Sequence, residues 1–307
     1  MHLRHFAAGL LAAAPALADV HKCGGHNDLS ELGDELGRSG LEERLSTLKT
    51  RQTFPVPPTV ELIVHVTAPS TRREDGYLTK AEVAEQVDII KRLYEPTKIT
   101  FKYDEAKLRY HVDTRWQGSK TTIKEFDPMI AELREGNYRT LNLFFYNNTH
   151  QGYGGGCRNP WVEVQKGYDF QKRLNEDGCV VSTYTINKSS HKFMNQGKTA
   201  VHEIGHWFGL LHPFEAGNIT QPLVRDPDTC WSGNPDDHVS DTPKTRQGPE
   251  GHCDATSNTC REPTGQAPIY DPIDNYMMYT SDACQSRFTT GQVERMYQMY
   301  DLHRARS

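Results

Sequence analysis

The sequence lacks an excess of basic residues, and this absence excludes one broad class of partners. Its 307 residues include 35 Lys and Arg against 40 Asp and Glu, a formal net charge of −5. A nucleic-acid-binding protein needs clustered positive charge to neutralise phosphates. We therefore expect no nucleic-acid partner. Internal repeats and long low-complexity tracts are also missing, which is typical of a globular protein.

Long hydrophobic runs are missing too. The apolar stretch at residues 6–17 is too short to span a bilayer. It follows the basic residue Arg4 and ends in the small residues Ala16 and Ala18, which is the pattern of a secretory signal. We predict a signal peptide over residues 1–18, with an uncleaved anchor as the alternative. Cleavage would give a secreted, extracellular protein without a membrane anchor.

Three histidines and a glutamate are concentrated between residues 202 and 212. His202 and His206 are four residues apart, so on a helix both imidazoles can reach one metal ion. Glu203 can contact a water on that metal without binding the metal itself. Gly209 can adopt the left-handed conformation that ends a helix, and His212 then follows as a third ligand. Three nitrogen ligands with an open position are typical of catalytic zinc.

A second segment, at residues 275–279, completes this candidate site. Met277 in a tight turn can form an apolar floor beneath the histidines. The phenol of Tyr279 can donate to the oxyanion that forms when water attacks a carbonyl. We therefore predict one catalytic zinc ion with Glu203 as the general base. An amphipathic helix and a core turn without metal are the competing interpretations.

The apolar pattern before residue 212 predicts strands alternating with helices. A capping box at Thr79 and Glu82 begins one helix, and the zinc motif predicts another from about residue 197 to 211. His65 is interpreted as a strand residue, and the glycine-rich run at residues 153–157 as a turn. The fold class is a mixed α/β sheet backed by helices. The predicted strands are residues 60–66, 99–103, 141–146 and 179–184.

Composition divides the chain into four segments. After the signal peptide, residues 19–58 are polar and end in a proline-rich linker, which indicates a pro-region. Residues 59–212 form an N-terminal subdomain with the zinc helix. Residues 213–307 form an irregular C-terminal subdomain with a closing helix. The pro-region contains Cys23, whose thiol could take the open metal position and keep an enzyme latent; a disulfide or a spare thiol are the alternatives.

The irregular C-terminal subdomain contains four of the seven cysteines, and spacing does not choose among their three connectivities. Its acids Asp236, Asp237 and Asp241 offer the oxygen ligands that calcium prefers, with a solvated loop as the alternative. Glycans could be attached at three sequons in a secreted protein. The four cysteines are Cys230, Cys253, Cys260 and Cys284, and the sequons are Asn147, Asn187 and Asn218.

The zinc motif, the segment at residues 275–279 and the four late cysteines resemble the pappalysin (cytophagalysin) family of metzincin endopeptidases. The layout is most similar to that of secreted fungal metalloproteases. The resemblance extends from about residue 60 to the last helix. It implies a zincin fold, in which His202, His206 and His212 bind zinc, Glu203 is the base and Met277 is the Met-turn residue.

The same resemblance implies features outside the zinc motif. These are crossed disulfides, calcium in the loop after the zinc helix and a latency role for Cys23. Cys157 and Cys179 would then be the remaining pair. The implied crossed pairs are Cys230–Cys260 and Cys253–Cys284.

The predicted function is a secreted zinc metalloendopeptidase that acts on protein or peptide substrates. We expect the substrate to add a strand to the sheet edge near residues 180–184. Asp282 suggests a preference for basic side chains in a neighbouring pocket. One alternative is a catalytically silent zinc-binding or adhesion module, although such a module would not need Glu203. A zinc amidase acting on a non-protein substrate is the other.

Overall fold

The computed structural model describes most of the chain after the linker. It gives residues 56–148, 153–160, 169–214, 237–246, 248, 251–260 and 267–305, and the backbone of residues 21–23. The predicted signal peptide lies outside these residues, as do Cys230, Asp236 and Asn218.

A mixed sheet forms the centre of the molecule, as the sequence predicts, and it has seven strands among the described residues. The strand order is β1-β6-β7-β5-β2-β3, and β4 also pairs with β2. The β6–β7 pair is antiparallel and the other pairs are parallel. The strands are β1 (His21–Cys23), β2 (Thr59–Ala68), β3 (Thr100–Lys102), β4 (Leu108–Val112), β5 (Thr140–Tyr146), β6 (Tyr153–Cys157) and β7 (Cys179–Ser182).

The central strands are buried because helices cover both faces of the sheet. Every residue of β5 is buried, which is typical of a parallel strand between two layers. The predicted capping box of Thr79 and Glu82 begins the first helix. The helices are α1 (Lys80–Tyr94), α2 (Asp127–Leu133), α3 (Phe170–Glu176), α4 (Lys198–Trp207) and α5 (Thr290–Met299), and α5 continues into a π-helix (Tyr300–Arg304).

One face of the sheet carries the larger apolar core. Side chains from α1, α4 and α5 meet there, including Val87, Ile204 and Met296. The hydroxyl of Tyr94 at the end of α1 donates to the Val201 carbonyl oxygen in α4 at 3.0 Å. The opposite face carries a smaller core around Phe126 on the α2 side. Helix α4 is therefore held between the sheet and the C-terminal helix.

Two sequence predictions about the sheet edge are wrong. The glycine-rich run at residues 153–157 forms strand β6 rather than a turn. Glycine suits this strand because other side chains lie very close to its backbone. A Cβ on Gly156 would lie 2.2 Å from the Tyr153 hydroxyl. Strand β7 lies between β5 and β6, so residues 180–182 are not at the sheet edge as expected; β1 is the edge strand on this side, and β6 is next to it.

Disulfides join segments next to this edge and near the C terminus. Cys157 of β6 is bonded to Cys179 of β7, with their Cα atoms 4.1 Å apart. Cys253 is bonded to Cys284, with a Cα separation of 5.9 Å. Cys260 is also in a disulfide, and its predicted partner lies outside the described residues.

His65 lies within β2 as predicted, fully buried and apart from the zinc motif. Its Nε2 is 3.0 Å from Asn142 Oδ1, and its Nδ1 is 3.0 Å from His111 Nε2. Burial lowers the pKa of His65 to about 4. The imidazole is therefore a neutral, hydrogen-bonded core group at neutral pH.

Candidate metal centre

Three imidazoles converge at the end of α4. His202 and His206 lie one turn apart, and their Nε2 atoms are 3.2 Å from each other. The Nε2 atom of His212 lies 3.0 Å from each of them. All three residues are buried. Within the part of the chain that the structure describes, this is the one cluster of three or more His, Cys, Asp or Glu side chains that could share a metal ion.

The hydrogen bonds of two imidazoles determine which nitrogen atoms can bind a cation. His202 Nδ1 lies 2.7 Å from the Tyr276 carbonyl oxygen, and His206 Nδ1 lies 2.8 Å from that of Leu210. A carbonyl oxygen only accepts, so each Nδ1 carries the proton and each Nε2 presents a lone pair. Two lone pairs that face each other repel unless a cation lies between them.

The spacing of these atoms fits zinc. A tetrahedral ion with Zn–N bonds of about 2.05 Å places its nitrogen ligands about 3.3 Å apart. The observed separations of 3.0 to 3.2 Å are within a few tenths of an ångström of that value. Three protein nitrogens also leave the fourth position open, as in catalytic rather than structural zinc sites.

The chain reverses between His206 and His212 through a Schellman turn. Gly209 has a φ of 88°, the left-handed conformation that the sequence predicts there. The Leu210 amide donates to the Gly205 carbonyl at 3.0 Å, and the Gly209 amide donates to that of His206 at 2.8 Å. The helix ends at Trp207, earlier than the predicted residue 211, because this turn replaces its last residues.

Glu203 lies beneath strand β6 and is not one of the candidate metal ligands. It is fully buried and is not part of the metal-binding cluster. A Cβ placed on Gly155 of β6 would lie 2.8 Å from Glu203 Cγ and 3.0 Å from its Oε1. The carboxyl group therefore lies close to the backbone of β6.

The Met-turn packs directly against α4. Met277 is fully buried, and its Sδ lies 2.5 Å from where a Cβ on Gly205 would be. The side-chain amides of Asn275 and Gln292 bond to each other at 2.7 and 3.1 Å. The Met277 amide donates to Asn275 Oδ1 at 2.9 Å. Gln292 of α5 thus supports the Met-turn, a role that sequence reasoning missed.

Two aromatic rings surround the third histidine. The Tyr279 ring centroid is 4.8 Å from that of His212 and 5.7 Å from that of His202. Phe214 stacks on His212 with ring centroids 4.8 Å apart and an interplanar angle of 6°. Phe214, Met278 and Tyr279 also line one cleft next to the triad. Sequence reasoning missed Phe214, although it lies only two residues after the motif.

The acidic residues singled out in the C-terminal subdomain are hydrogen-bonded within the chain. Asp237 Oδ1 accepts from the Val239 amide at 3.1 Å. Asp241 Oδ2 accepts from the Gly291 amide at 2.9 Å. Asp282 is fully buried and accepts from the Gln196 amide at 2.8 Å, just before α4. The prediction that Asp282 contacts substrate side chains is therefore wrong, since the first turn of α4 covers it.

Two predicted glycosylation sites are half-buried. Asn147 Nδ2 donates to the Glu74 carbonyl oxygen at 3.2 Å, and Asn187 Nδ2 donates to Glu85 Oε1 at 2.9 Å. These bonds use the nitrogen atom to which a glycan would be attached. Glycosylation stays a prediction at these positions.

No helix among the described residues is both long and apolar enough to cross a bilayer.

The strand β1, which contains Cys23, pairs with β6 in parallel, and Cys23 lies opposite Gly155. The backbone of residues 21–23, within the predicted pro-region, is therefore next to the strand that covers Glu203.

Comparisons with known proteins identify the family of this chain. The family model described as pregnancy-associated plasma protein-A (Peptidase_M43) matches residues 127–301, more than half of the chain. An extracellular metalloprotease of Pyricularia oryzae is 32% identical over 259 residues, which are 84% of this chain and 80% of that protein. An extracellular metalloprotease of Colletotrichum graminicola is 30% identical over 305 residues, 99% of each chain.

Solved structures share the fold. Mature mirolysin of Tannerella forsythia, in complex with a cleaved peptide, has a TM-score of 0.58 at 23% identity and covers 80% of this chain and 92% of its own. A promirolysin variant of the same organism has a TM-score of 0.62 at 21% identity, with coverage of 91% and 93%. The predicted zincin fold is confirmed. The chain belongs to the pregnancy-associated plasma protein-A family of metallopeptidases and is a secreted zinc metalloendopeptidase.

Proposed function

We propose that His202, His206 and His212 hold the catalytic zinc ion and that Glu203 is the general base of peptide hydrolysis. The convergence of the three buried Nε2 atoms within 3.0 to 3.2 Å carries this proposal. A zinc ion bound there would lower the pKa of water to about 7 and polarise the scissile carbonyl.

Glu203 would move the protons of the reaction. Its carboxylate takes a proton from the attacking water and then delivers it to the leaving amine. Burial beneath β6 supports this role, because few solvent molecules can compete for the carboxylate. The phenol of Tyr279 lies close to the triad and would donate a hydrogen bond to the developing oxyanion.

Substrates of this enzyme are proteins or peptides, and we propose that they bind in extended form along β6. An exposed strand edge offers backbone donors and acceptors to an added strand. In the full chain, the N-terminal strand β1 pairs with β6 at this edge.

We also propose that calcium binds near Asp237 and Asp241, as the family resemblance implies.

We propose in addition that Cys23 keeps the full chain latent. The pairing of Cys23 with Gly155 supports this, because Gly155 covers Glu203. The structural neighbour that is a pro-form covers 91% of this chain, whereas the mature form covers 80%. A thiolate is a strong zinc ligand and would exclude water from the open position.

The first prediction concerns the base. Glu203→Gln keeps the size of the side chain but cannot accept a proton, so hydrolysis of casein should fall by at least about 10²-fold. Removal of zinc from the wild type with a chelator should abolish activity, and added zinc should restore it. Bound zinc, measured by atomic absorption, should remain at one per chain in Glu203→Gln. Wild-type turnover by this variant would refute the assignment.

The second prediction concerns the close approach of β6 to the base. The methyl group of Gly155→Ala would lie 2.8 Å from both Glu203 Cγ and the Val180 carbonyl oxygen. The side chain of Glu203 can move more easily than the backbone of β7, so kcat/KM should fall about 10- to 100-fold with zinc content unchanged. Gly156→Ala is the matched control, since its methyl group meets Tyr153 on the same strand. Equal losses in both variants would show that strand disruption, not displacement of Glu203, is the cause.

The third prediction concerns latency. Cys23→Ser in the full chain should raise peptidase activity before any cleavage of the pro-region, because a serine hydroxyl is a poor zinc ligand. Activity is measured with a quenched peptide while the intact mass is followed by mass spectrometry. The wild-type full chain serves as the control. An intact Cys23→Ser chain as inactive as the wild type would contradict the role of the thiol.

A further inference from the structure

The turn between the second and third histidines is held from outside by the last helix. Arg295 of α5 is buried, and its Nε donates to the Gly209 carbonyl oxygen at 2.9 Å. Met299 lies one turn later on the same face of α5. Its Cγ is 2.8 Å from where a Cβ on Gly209 would be. Two side chains of α5 therefore contact the residue at which the chain reverses.

The carbonyl groups of this turn explain why a side-chain donor matters there. The last carbonyls of a helix have no amide partner in the helix itself. The turn's own amides bond to the carbonyl oxygens of Gly205 and His206. The carbonyl oxygen of Leu210 accepts from the His206 imidazole at 2.8 Å. These bonds use amide and imidazole donors from within the metal-binding segment.

Two more carbonyl groups accept bonds from arginines of the C-terminal helices. Arg304 Nε donates to the Trp207 carbonyl oxygen at 3.1 Å, while Arg295 donates to that of Gly209. Both guanidinium groups place positive charge at the C-terminal end of α4, where the helix dipole is negative. The bond from Arg295 lies closest along the chain to the third histidine, which is three residues after Gly209.

We propose that Arg295 is a positioning residue for the metal centre. Through Gly209 it fixes the turn that brings His212 against His202 and His206. This inference rests on the proposed role of the three histidines as zinc ligands. Without the bond, residues 209–212 would sample positions in which the third ligand is displaced. Groups that orient metal ligands typically change metal affinity by about 10- to 100-fold when they are replaced.

The test compares two substitutions on the same helix. Arg295→Met keeps the apolar stem and removes the donor. Tyr297→Phe is the matched control, because its hydroxyl bonds to the Thr97 carbonyl oxygen near the β3 edge of the sheet. The zinc dissociation constant of the full chain is measured by competition with a chromophoric chelator. The melting temperatures of the zinc-free and zinc-loaded forms are measured in parallel.

We expect Arg295→Met to bind zinc about 10- to 100-fold more weakly than the wild type, and Tyr297→Phe to bind it normally. A fixed zinc concentration should also raise the melting temperature of Arg295→Met by less than it raises that of the wild type. A merely structural role would lower both melting temperatures equally and leave the zinc affinity unchanged. That result would overturn the proposal.

A second variant covers the case in which Arg295→Met does not fold. Arg295→Lys keeps the charge and the aliphatic stem but places a methylene group where the Nε–H donor was. It should also weaken zinc binding, and wild-type affinity in a folded Arg295→Lys chain would overturn the proposal. His212→Ala tests the underlying assignment separately. Unchanged zinc affinity in that variant would refute the triad itself rather than the role of Arg295.

Discussion

The bond from His206 Nδ1 to the Leu210 carbonyl oxygen connects the two ends of the metal-binding segment. It fixes the tautomer of the second histidine, so that its Nε2 lone pair faces the first and third. It also fixes the backbone two residues before His212. The equivalent bond from His202 to the Tyr276 carbonyl oxygen ties the first histidine to the Met-turn. One type of interaction thus orients two imidazoles and joins the zinc helix to the turn before His212 and to the Met-turn.

The C-terminal part of the chain supports the metal centre as much as the zinc helix does. Met277 fills the space left by Gly205, and the Asn275–Gln292 amide pair holds the turn that carries Met277. Arg304 and Asp177, both fully buried, form an ion pair at the end of α4. Such a pair is costly to break, since either charge alone would be left without compensation in the core. These contacts hold the Met-turn and the C-terminal helices against the zinc helix.

The zinc helix, the capping box of α1 and the alternation of strands and helices could be predicted from the sequence, because they depend on residues close together in the chain. His202 and His206 are one turn apart, and Gly209 meets a local requirement for a positive φ. The role of Gly155 could not be predicted in this way. Three consecutive glycines read locally as a turn, whereas backbone pairing with β7 and β1 makes them a strand, and Glu203 approaches that strand from a different element.

The same limit applies to the residues that sequence reasoning missed or misplaced. Gln292 and Arg295 belong to α5, far from the motif in the sequence, and no local pattern links a polar residue there to a metal ligand. Asp282 illustrates the opposite error. Its charge and its place near the Met-turn suggested a substrate contact, but the packing of α4 buries it. In both cases, the role of the side chain depends on contacts between residues that are far apart in the sequence.

The coordination of zinc in the active enzyme tests the central claim most directly. X-ray absorption spectroscopy at the zinc edge, performed on the mature protein from culture medium, counts the ligand atoms around the ion. We expect three imidazole nitrogens and one solvent oxygen at about 2.0 to 2.1 Å from the zinc ion, with no sulfur ligand. A sulfur ligand at about 2.3 Å in the active form, or fewer than three imidazoles, would contradict it.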